Sequence, residues 1–595
     1  MDFLGLRTLG VLSRACRNIE DRTGMKLVPE EIPTDDERAF ELLRSGNMDG
    51  LFQVEGSLYV SLFSRLPPHR FSDIVASIAL NRPGPLESGM VDDYVEVASG
   101  RVPVHYYDDR LRPILEETYG TMVYQEQIMQ ISMTMCGFSA GKADKLRKAM
   151  GKKKIDVMRD LQEDWNNGAV ENGYSLDIAK QIWNDAEKFA KYAFNKSHSA
   201  AYAILVMRTA YLKAYYPNEY MAAVLSSYMG NTDKLIKYIA SCNHNGTPVL
   251  PPDINSSNVE FTPVDEGIRF GLMGVRGVGK SVAEEIIAER ERGGPYTSLH
   301  NFVNRVDSKC YNRKTLEALI KAGAFDSTGY TRRQLMHFVD DTPLLENASK
   351  RQKDRDAGQV SMFDLFGDDP DAGFEEDVPE PDGIEWPRRQ LLGYEKEILK
   401  IYVSDHPLRP YEGYISRLTK YQLGDLVDRT KEIKSATFVG MVSNVVTKLT
   451  KRGSKMANFT LEDTTGYVEC ICFKYEDYAD AIQEDAIVKV KGKFEHTDRG
   501  NQVVAYEVEK LELSEEDAQP ARLELHVPSS SLDQARSLKL NRILQSYPGR
   551  DGVVLFVQQS DGRKFRAELP VTVDSYNMVL RSELSELFEG QAAIA

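Results

Sequence analysis

The stretch least able to build a core in this chain is residues 364–385. That stretch, DLFGDDPDAGFEEDVPEPDGIE, carries ten acids and no base, so it repels itself and offers little to bury. It reads as a disordered spacer. At 595 residues the chain also exceeds what one hydrophobic core serves, and roughly three to five domains are expected. The net charge of −16 speaks on its face against nucleic-acid binding, yet the charge is patched. Residues 142–154, KADKLRKAMGKKK, set seven Lys or Arg against one Asp, a segment able to grip phosphates, while much of the acidity lies elsewhere.

The six cysteines are scattered without a CxxC pair, which points to a reducing cytoplasm and away from a zinc knuckle or disulfide framework. No apolar run approaches the roughly 18 residues of a membrane span, and Asp2, Arg7 and Arg14 break up the apolar residues a signal peptide would need. A cytoplasmic protein with no membrane partner is expected. Residues 1 to about 240 read as mostly helical; Thr34, followed by acids and then Phe40, Leu42 and Leu43, is a good helix start. Residues 250–330 change to a short strand, a Gly-rich turn and helices. From about 434 to 515, short alternating runs such as ATFVGMV and AIVKVKGKF, broken by Gly and Asp-Thr turns, predict a small antiparallel barrel. The last segment mixes strand and helix.

Several motifs carry chemistry, each with a plainer rival. In KFAKYAFNKSHSAAYAILVMRTAYLKAYYP, residues 188–217, a loop feeds a helix over 200–215 that Pro217 stops, with Ser197 or Ser199 as N-cap. A helix N-terminus suits an anion, and Lys196 and His198 would add to that; an exposed lysine and a structural histidine are the rival. In ALNRPGPLESGMVDDYV, Arg82 precedes two prolines that predict a rigid, extended turn, suited to clamping a phosphate or to a salt bridge. GVRGVGKS, residues 274–281, fits the P-loop pattern. It equally fits the hairpin of a helix-hairpin-helix, where Gly277 and Gly279 would hold one DNA backbone phosphate beside Lys280. Residues 296–327 read as two short helices, without the strand ending in a Mg²⁺-holding acid that an NTPase requires. The DNA-backbone reading is therefore preferred; LIKAGAFD resembles a second, degenerate hairpin. In the barrel, Phe438, Phe459, Phe473 and Phe494 offer rings and Lys448, Lys451, Arg452 and Lys455 a basic loop, the features of single-strand binding, with barrel core as the rival for each ring. QVSMFDLF, residues 359–366, places spaced apolar residues in the acidic stretch, as short docking peptides do.

Taken together, DFLGLRTL, GLFQVEGS, NRPGPLESGM, TYGTMVYQEQIM, ADKLRKAMGKKK, KFAKYAFNKSHSAAYA and YLKAYYPNEYMAA, in this order, resemble the C family of bacterial replicative DNA polymerases, the polymerase III alpha subunits. The resemblance covers essentially the whole chain. It implies a multidomain α+β fold of mostly helical fingers, tandem helix-hairpin-helix, an OB-fold β-barrel and a small α+β C-terminal domain. The implied division is end of palm 1–30, fingers 31–245, tandem hairpins 246–340, acidic linker with clamp-binding peptide 341–390, connector 391–433, OB-fold 434–515 and C-terminal domain 520–595. It implies DNA-templated DNA synthesis, with primed template DNA, dNTPs, a sliding clamp and the clamp-loader tau subunit as partners. Arg82, Arg147, Lys148, Lys152, Lys196, Ser197 and His198 would then contact nucleotide or template. Gly277, Gly279 and Lys280 would hold the DNA backbone, and Gln359, Met362 and Phe363 the clamp.

The departure concerns the metal site. The family's palm holds Mg²⁺ on three carboxylates, and only the third, Asp2, matches here. A two-metal centre requires several carboxylates, so the chain is expected to be catalytically incomplete by itself and to work with a separate PHP and palm polypeptide. A stand-alone DNA-binding adaptor recruited to the clamp is the alternative.

Overall fold

The computed structural model describes residues 5–151, 155–189, 194–356, 379–426, 429, 431–450, 453–497, 500–514, 517–518, 522–559, 563–573, 575, 578–588 and 593–594. The chain divides into two compact units, one formed mainly by residues up to Met221 and the other mainly by the residues after it.

The first unit is built of helices. Helix Glu37–Ser45 starts on Asp36, whose carboxylate accepts the Ala39 amide at 2.9 Å, two residues past the start expected at Thr34. Helices Gln125–Cys136, Ala140–Gly151, Ile155–Glu171 and Leu176–Phe189 enclose a core centred on Trp165 and Trp183, which meet edge to face at 5.5 Å. Trp165 satisfies its one polar atom by donating from Nε1 to the Ala179 carbonyl at 3.0 Å, as a buried indole must. Gly168 makes this packing possible, because a Cβ there would meet the Cys136 carbonyl at 2.2 Å.

Helix Lys196–Tyr215 packs against helices Phe71–Leu80 and Glu37–Ser45 with Ala203, Val206, Met207 and Ala210 fully buried. Small residues on both sides, Ala76 and Ala79 among them, allow the close approach. Its N-cap is Asn195, whose side chain accepts the His198 amide at 2.9 Å. The expected cap at Ser197 or Ser199 is therefore corrected, and the helix begins four residues earlier than the 200–215 read from sequence. Toward the other end, the buried ammonium of Lys213 donates to the Asn47 carbonyl, the Asn47 side-chain oxygen and the Asp49 carbonyl at 2.7–3.0 Å. That fastens the loop around residues 47–50. Pro83–Glu87 is also corrected: it is a short helix with Pro83 in its first turn, not an extended turn. Proline fits the first helical position because the amide it lacks would be unpaired there. Arg82, the residue before it, takes the extended conformation.

In the second unit, a three-stranded sheet of Val249–Leu250, Gly267–Arg269 and Thr262–Val264 precedes helices Lys280–Gly293, Leu299–Arg305, Arg313–Lys321 and Arg332–Asp341. Residues 379–385, expected to belong to a solvated spacer, pack onto the start of the last of these. The Glu385 carboxylate accepts the Arg332 and Arg333 amides at 2.7 and 3.0 Å, where an acid neutralises a helix N-terminus. Gln334 bonds the Glu380 carbonyl and the Asp382 amide. Connector helix Arg388–Leu399 buries Glu395, which accepts the Val403 and Ser404 amides. His406 accepts the Leu408 amide at Nδ1, and burial pulls its pKa down to about 3.

Strands Ile433–Leu449, Lys455–Glu462, Tyr467–Cys472, Gly500–Lys510 and Ile487–Thr497 close a barrel in that spatial order. The 17-residue first strand serves both ends of the closure, pairing Ala436–Met441 with one neighbour and Met441–Leu449 with the other. Tyr467–Cys472 runs parallel to Gly500–Lys510, and every second residue points into one apolar core, the alternation a small barrel demands. The C-terminal sheet has the order Lys564–Val573, Pro548–Gln558, Arg522–Pro528, Ala593–Ile594. Its inner face, with Leu523, Leu525 and Val553, packs with helices Gln534–Ser546 and Met578–Leu587. Among the described residues no helix is long and apolar enough to cross a membrane.

Candidate nucleic-acid interface

Three sequence-distant segments of the first unit meet around the start of helix Lys196–Tyr215. The Gln125 amide donates to the Phe194 carbonyl at 2.9 Å, joining the two loops as an isolated parallel bridge between Tyr124 and Phe194. Gln127, almost fully buried, holds the Val123 and Tyr124 amides on its side-chain oxygen at 2.8 and 2.9 Å. Phe194 in turn supports Arg82, whose guanidinium lies 4.1 Å over the ring centroid while its Nε donates to the Ala79 carbonyl at 2.8 Å. Partial burial lowers the Arg82 pKa from its ordinary value, so this is a cation held partly out of water.

Lys196 is the second cation. Its Nζ reaches both Glu117 oxygens at 2.6 and 2.7 Å and lies 5.5 Å from the Tyr124 ring centroid. Its amide donates to Glu126 at 2.9 Å. The amides of Lys196 and His198 thus already have partners, so the anion-binding capacity expected of this helix start rests on side chains more than on the loop amides. His198 stacks on Tyr202 with centroids 4.3 Å apart, presents its edge to Phe194 at 5.4 Å, and Tyr202 touches Phe52 at 5.0 Å. Ser197 is exposed in the first turn. Arg147 bonds Asp144 at 2.8 Å and the Gln125 side chain at 3.1 Å, and Lys148 pairs with Asp144 at 2.6 Å. Two cations beside an aromatic stack can hold a phosphate and the face of a planar base. Glu117, Phe194, Tyr202 and Phe52 were not read as site residues; GLFQVEGS holds Phe52 and KFAKYAFNKSHSAAYA holds Phe194 and Tyr202, but neither motif says what they touch, and Glu117 lies just before TYGTMVYQEQIM.

The Gly-rich turn is an open hairpin. Val275 and Val278 are buried in the core while Arg276, Gly277, Gly279 and Lys280 are exposed. Gly277 sits at φ +90°, and added Cβ atoms at Gly277 and Gly279 would meet nothing within 4 Å. Helix Lys280–Gly293 starts without a side-chain cap, leaving first-turn amides for an anion. The P-loop reading fails here: the short strands next to the hairpin precede or lead into it, and helices Leu299–Arg305 and Arg313–Lys321 come after it. The second hairpin is sealed. At Gly323, φ +81°, a Cβ would meet an Arg332 guanidinium nitrogen at 2.2 Å, and Arg332 is bonded to Asp326 at 2.6 and 2.9 Å. The Ala322, Gly323 and Ala324 amides all bond backbone carbonyls. If the open hairpin grips a backbone phosphate, Lys280→Ala should weaken duplex binding alike for all sequences and reduce the salt slope by about one. Titrations of one duplex at several salt concentrations check this, and an unchanged slope would remove Lys280 from the interface.

On the barrel, Phe438, Phe459 and Phe494 are completely buried; they are core, as the alternation into a small barrel requires, and unavailable for stacking. Phe473 is 51% exposed. Because Cys472 pairs with Ala505, the next residue, Tyr506, 49% exposed, comes beside it. Lys455 is exposed on the neighbouring strand. Asp2, Lys152, Lys451, Arg452, Gln359, Met362 and Phe363 lie outside the described residues. Among the described residues no group of three or more His, Cys, Asp or Glu is placed to hold a metal ion.

Comparisons with known proteins place these regions. The family model for the bacterial DNA polymerase III alpha subunit finger domain matches residues 8–173, that for a helix-hairpin-helix motif residues 246–335, and that for an OB-fold nucleic acid binding domain residues 436–511. The chain is 40% identical to DNA polymerase III subunit alpha of Thermus aquaticus, over 94% of this chain and 45% of that one. It is 39% identical to the subunit of Saccharopolyspora erythraea, over 92% and 47%, and 38% identical to that of Aquifex aeolicus, over 99% and 47%. The chain thus spans about half the length of the curated relatives it matches.

Proposed function

We infer that this chain, a member of the DNA polymerase III alpha-subunit family, takes part in DNA-templated DNA synthesis by binding the incoming nucleotide and the primed template. The observation that carries this reading is the meeting of Arg82, Lys196 and the His198–Tyr202–Phe52 stack at one helix start. Arg82 and Lys196 neutralise the triphosphate from two sides. The aromatic stack gives the nascent base pair a flat neighbour, and a base face stacks on any such ring whatever its sequence. Arg147 and Lys148 serve template phosphates. These residues bind and orient; orientation of a nucleotide against a primer end is itself a large part of phosphoryl-transfer catalysis.

The open hairpin at Gly277 and Gly279 holds duplex backbone, and the Phe473–Tyr506 surface of the barrel stacks single-stranded template. We assign clamp docking to Gln359, Met362 and Phe363, tau contact to the C-terminal domain, and a cytoplasmic site of action. Mg²⁺, held through carboxylates that include Asp2, would supply charge stabilisation to the transferring phosphoryl group. We propose that a PHP and palm polypeptide supplies the remaining carboxylates.

The test is binding of a labelled primer–template with a terminated primer, by anisotropy, with complementary or mismatched dNTP and Mg²⁺, beside primer extension with the chain alone. Tightening by the complementary dNTP alone supports the reading. A chain that binds DNA with no response to dNTP would be the adaptor instead. Extension by this chain alone, lost in Asp2→Ala, would show that its own acids complete the metal site.

A further inference from the structure

Gln53 is one of the few described non-glycine residues held at positive φ. The Val54 amide donates to the Phe52 carbonyl at 2.7 Å, closing a three-residue turn whose apex, Gln53, sits at φ +64°. A γ-turn with its centre at positive φ is the rare, strained form, and a side chain at positive φ is uncommon outside Asn, Asp and His. The surroundings hold it there. Leu51 and Val54 are buried, the Phe52 amide donates to the Thr209 hydroxyl at 3.3 Å, and the Gly50 carbonyl accepts the Tyr220 hydroxyl at 2.6 Å. Strain of this kind persists where neighbours over-determine it, and it collects at binding and active sites.

The apex also closes a circuit. Burial raises the Tyr59 pKa, and Gln53 and Arg82 both oppose that rise. Arg82 lies over Phe194, Phe194 meets His198, and His198 stacks on Tyr202. Tyr202 touches Phe52, the residue next to Gln53. Gln53 is exposed, and a glutamine amide offers two donors and an acceptor. Nothing in the packing needs an exposed glutamine at a strained apex, since glycine would take the same backbone without cost.

We propose that Gln53 is a specificity residue of this site, its amide held by the strained turn to hydrogen-bond the polar edge of a nucleobase in the nascent pair. The proposal rests on the nucleotide-site reading above and adds to it a contact to the base, where Arg82 and Lys196 serve phosphates. Stability and binding then pull in opposite directions at one position. Gln53→Gly relieves the turn and removes the amide; Gln53→Asn tolerates positive φ but shortens the reach.

The experiment uses the full chain, a terminated primer–template and complementary or mismatched dNTP with Mg²⁺, read by anisotropy, with melting temperature measured alongside. Expected for Gln53→Gly is a melting temperature higher by a few degrees, together with a roughly fivefold loss in discrimination between the two dNTPs, the worth of one neutral hydrogen bond. Gln53→Asn should lose discrimination similarly while melting no lower than the original chain. A higher melting temperature with discrimination intact would overturn the proposal, as would lost discrimination with a lower melting temperature, which marks a merely structural role. Lys196→Ala separates the two ideas. If it abolishes the dNTP response while Gln53→Gly leaves discrimination intact, only the Gln53 proposal fails. If the original chain ignores dNTP, the site reading fails and takes this one with it.

Discussion

Replacing Asp326 by alanine should cost about 3–5 kcal/mol of local stability, the range for removing one partner of a buried ion pair. Arg332 is only 6% exposed, and its guanidinium donates twice to Asp326 and once to the Lys321 carbonyl, the last at 3.3 Å. Without Asp326 the charge stays in place, because Gly323 was shaped around it, and water reaches it poorly. Asp326→Asn keeps an acceptor and should cost less, about 1–2 kcal/mol. Hydrogen exchange on helices Arg313–Lys321 and Arg332–Asp341 is the suitable measurement, since local opening energies are read amide by amide. A loss under about 1 kcal/mol for Asp326→Ala would mean the pair is solvated and the second hairpin not sealed. If the open hairpin at Gly277 and Gly279 grips duplex backbone, the salt slope of duplex binding should stay unchanged in Asp326→Asn.

That asymmetry between the hairpins shows where sequence reading stops. GVRGVGKS declared its turn because glycine at positive φ and buried valines on both sides are local necessities. LIKAGAFD has the same local text, but what closes it is Arg332, nine residues beyond Gly323 and folded back across the turn. The barrel behaves likewise. Alternation outlined its strands but left each phenylalanine open between a stacking ring and barrel core. Only register, which pairs Cys472 with Ala505, brings Phe473 and Tyr506 together. Caps were misread where several polar residues competed. Asn195 takes the cap by accepting the His198 amide, while the Lys196 amide finds its partner in Glu126, 70 positions away. The end of the acidic stretch was misread for a related reason: ten acids look solvated until one of them, Glu385, meets a helix N-terminus. Motif order, by contrast, carried the family and the fold class, because long motifs constrain far more than composition does.

Lys196 brings the same limit to bear on function, since its partner Glu117 lies 79 residues away. Both side chains are partly exposed, at 40% and 34%, so the pair itself is worth little, about 0.2–1 kcal/mol. A triphosphate offers Lys196 a stronger, doubly charged partner, and to take it the lysine must leave Glu117. Lys196→Ala should therefore weaken dNTP binding by roughly 10–100-fold, the loss of a hydrogen bond between charged groups. Glu117→Gln should do the opposite, tightening binding by a few fold at low salt, with the gain shrinking as salt screens the competing pair. The decisive arm is the double variant. Once Lys196 is alanine, Glu117→Gln has no lysine to release, so its effect should vanish. Nucleotide titrations of the four proteins against a terminated primer–template close this cycle. If Glu117→Gln weakens binding in both backgrounds, Glu117 shapes the loop rather than competing with the ligand. The carboxylate would then be part of the site's scaffold, and Arg82 on its Phe194 support would be left as the phosphate contact.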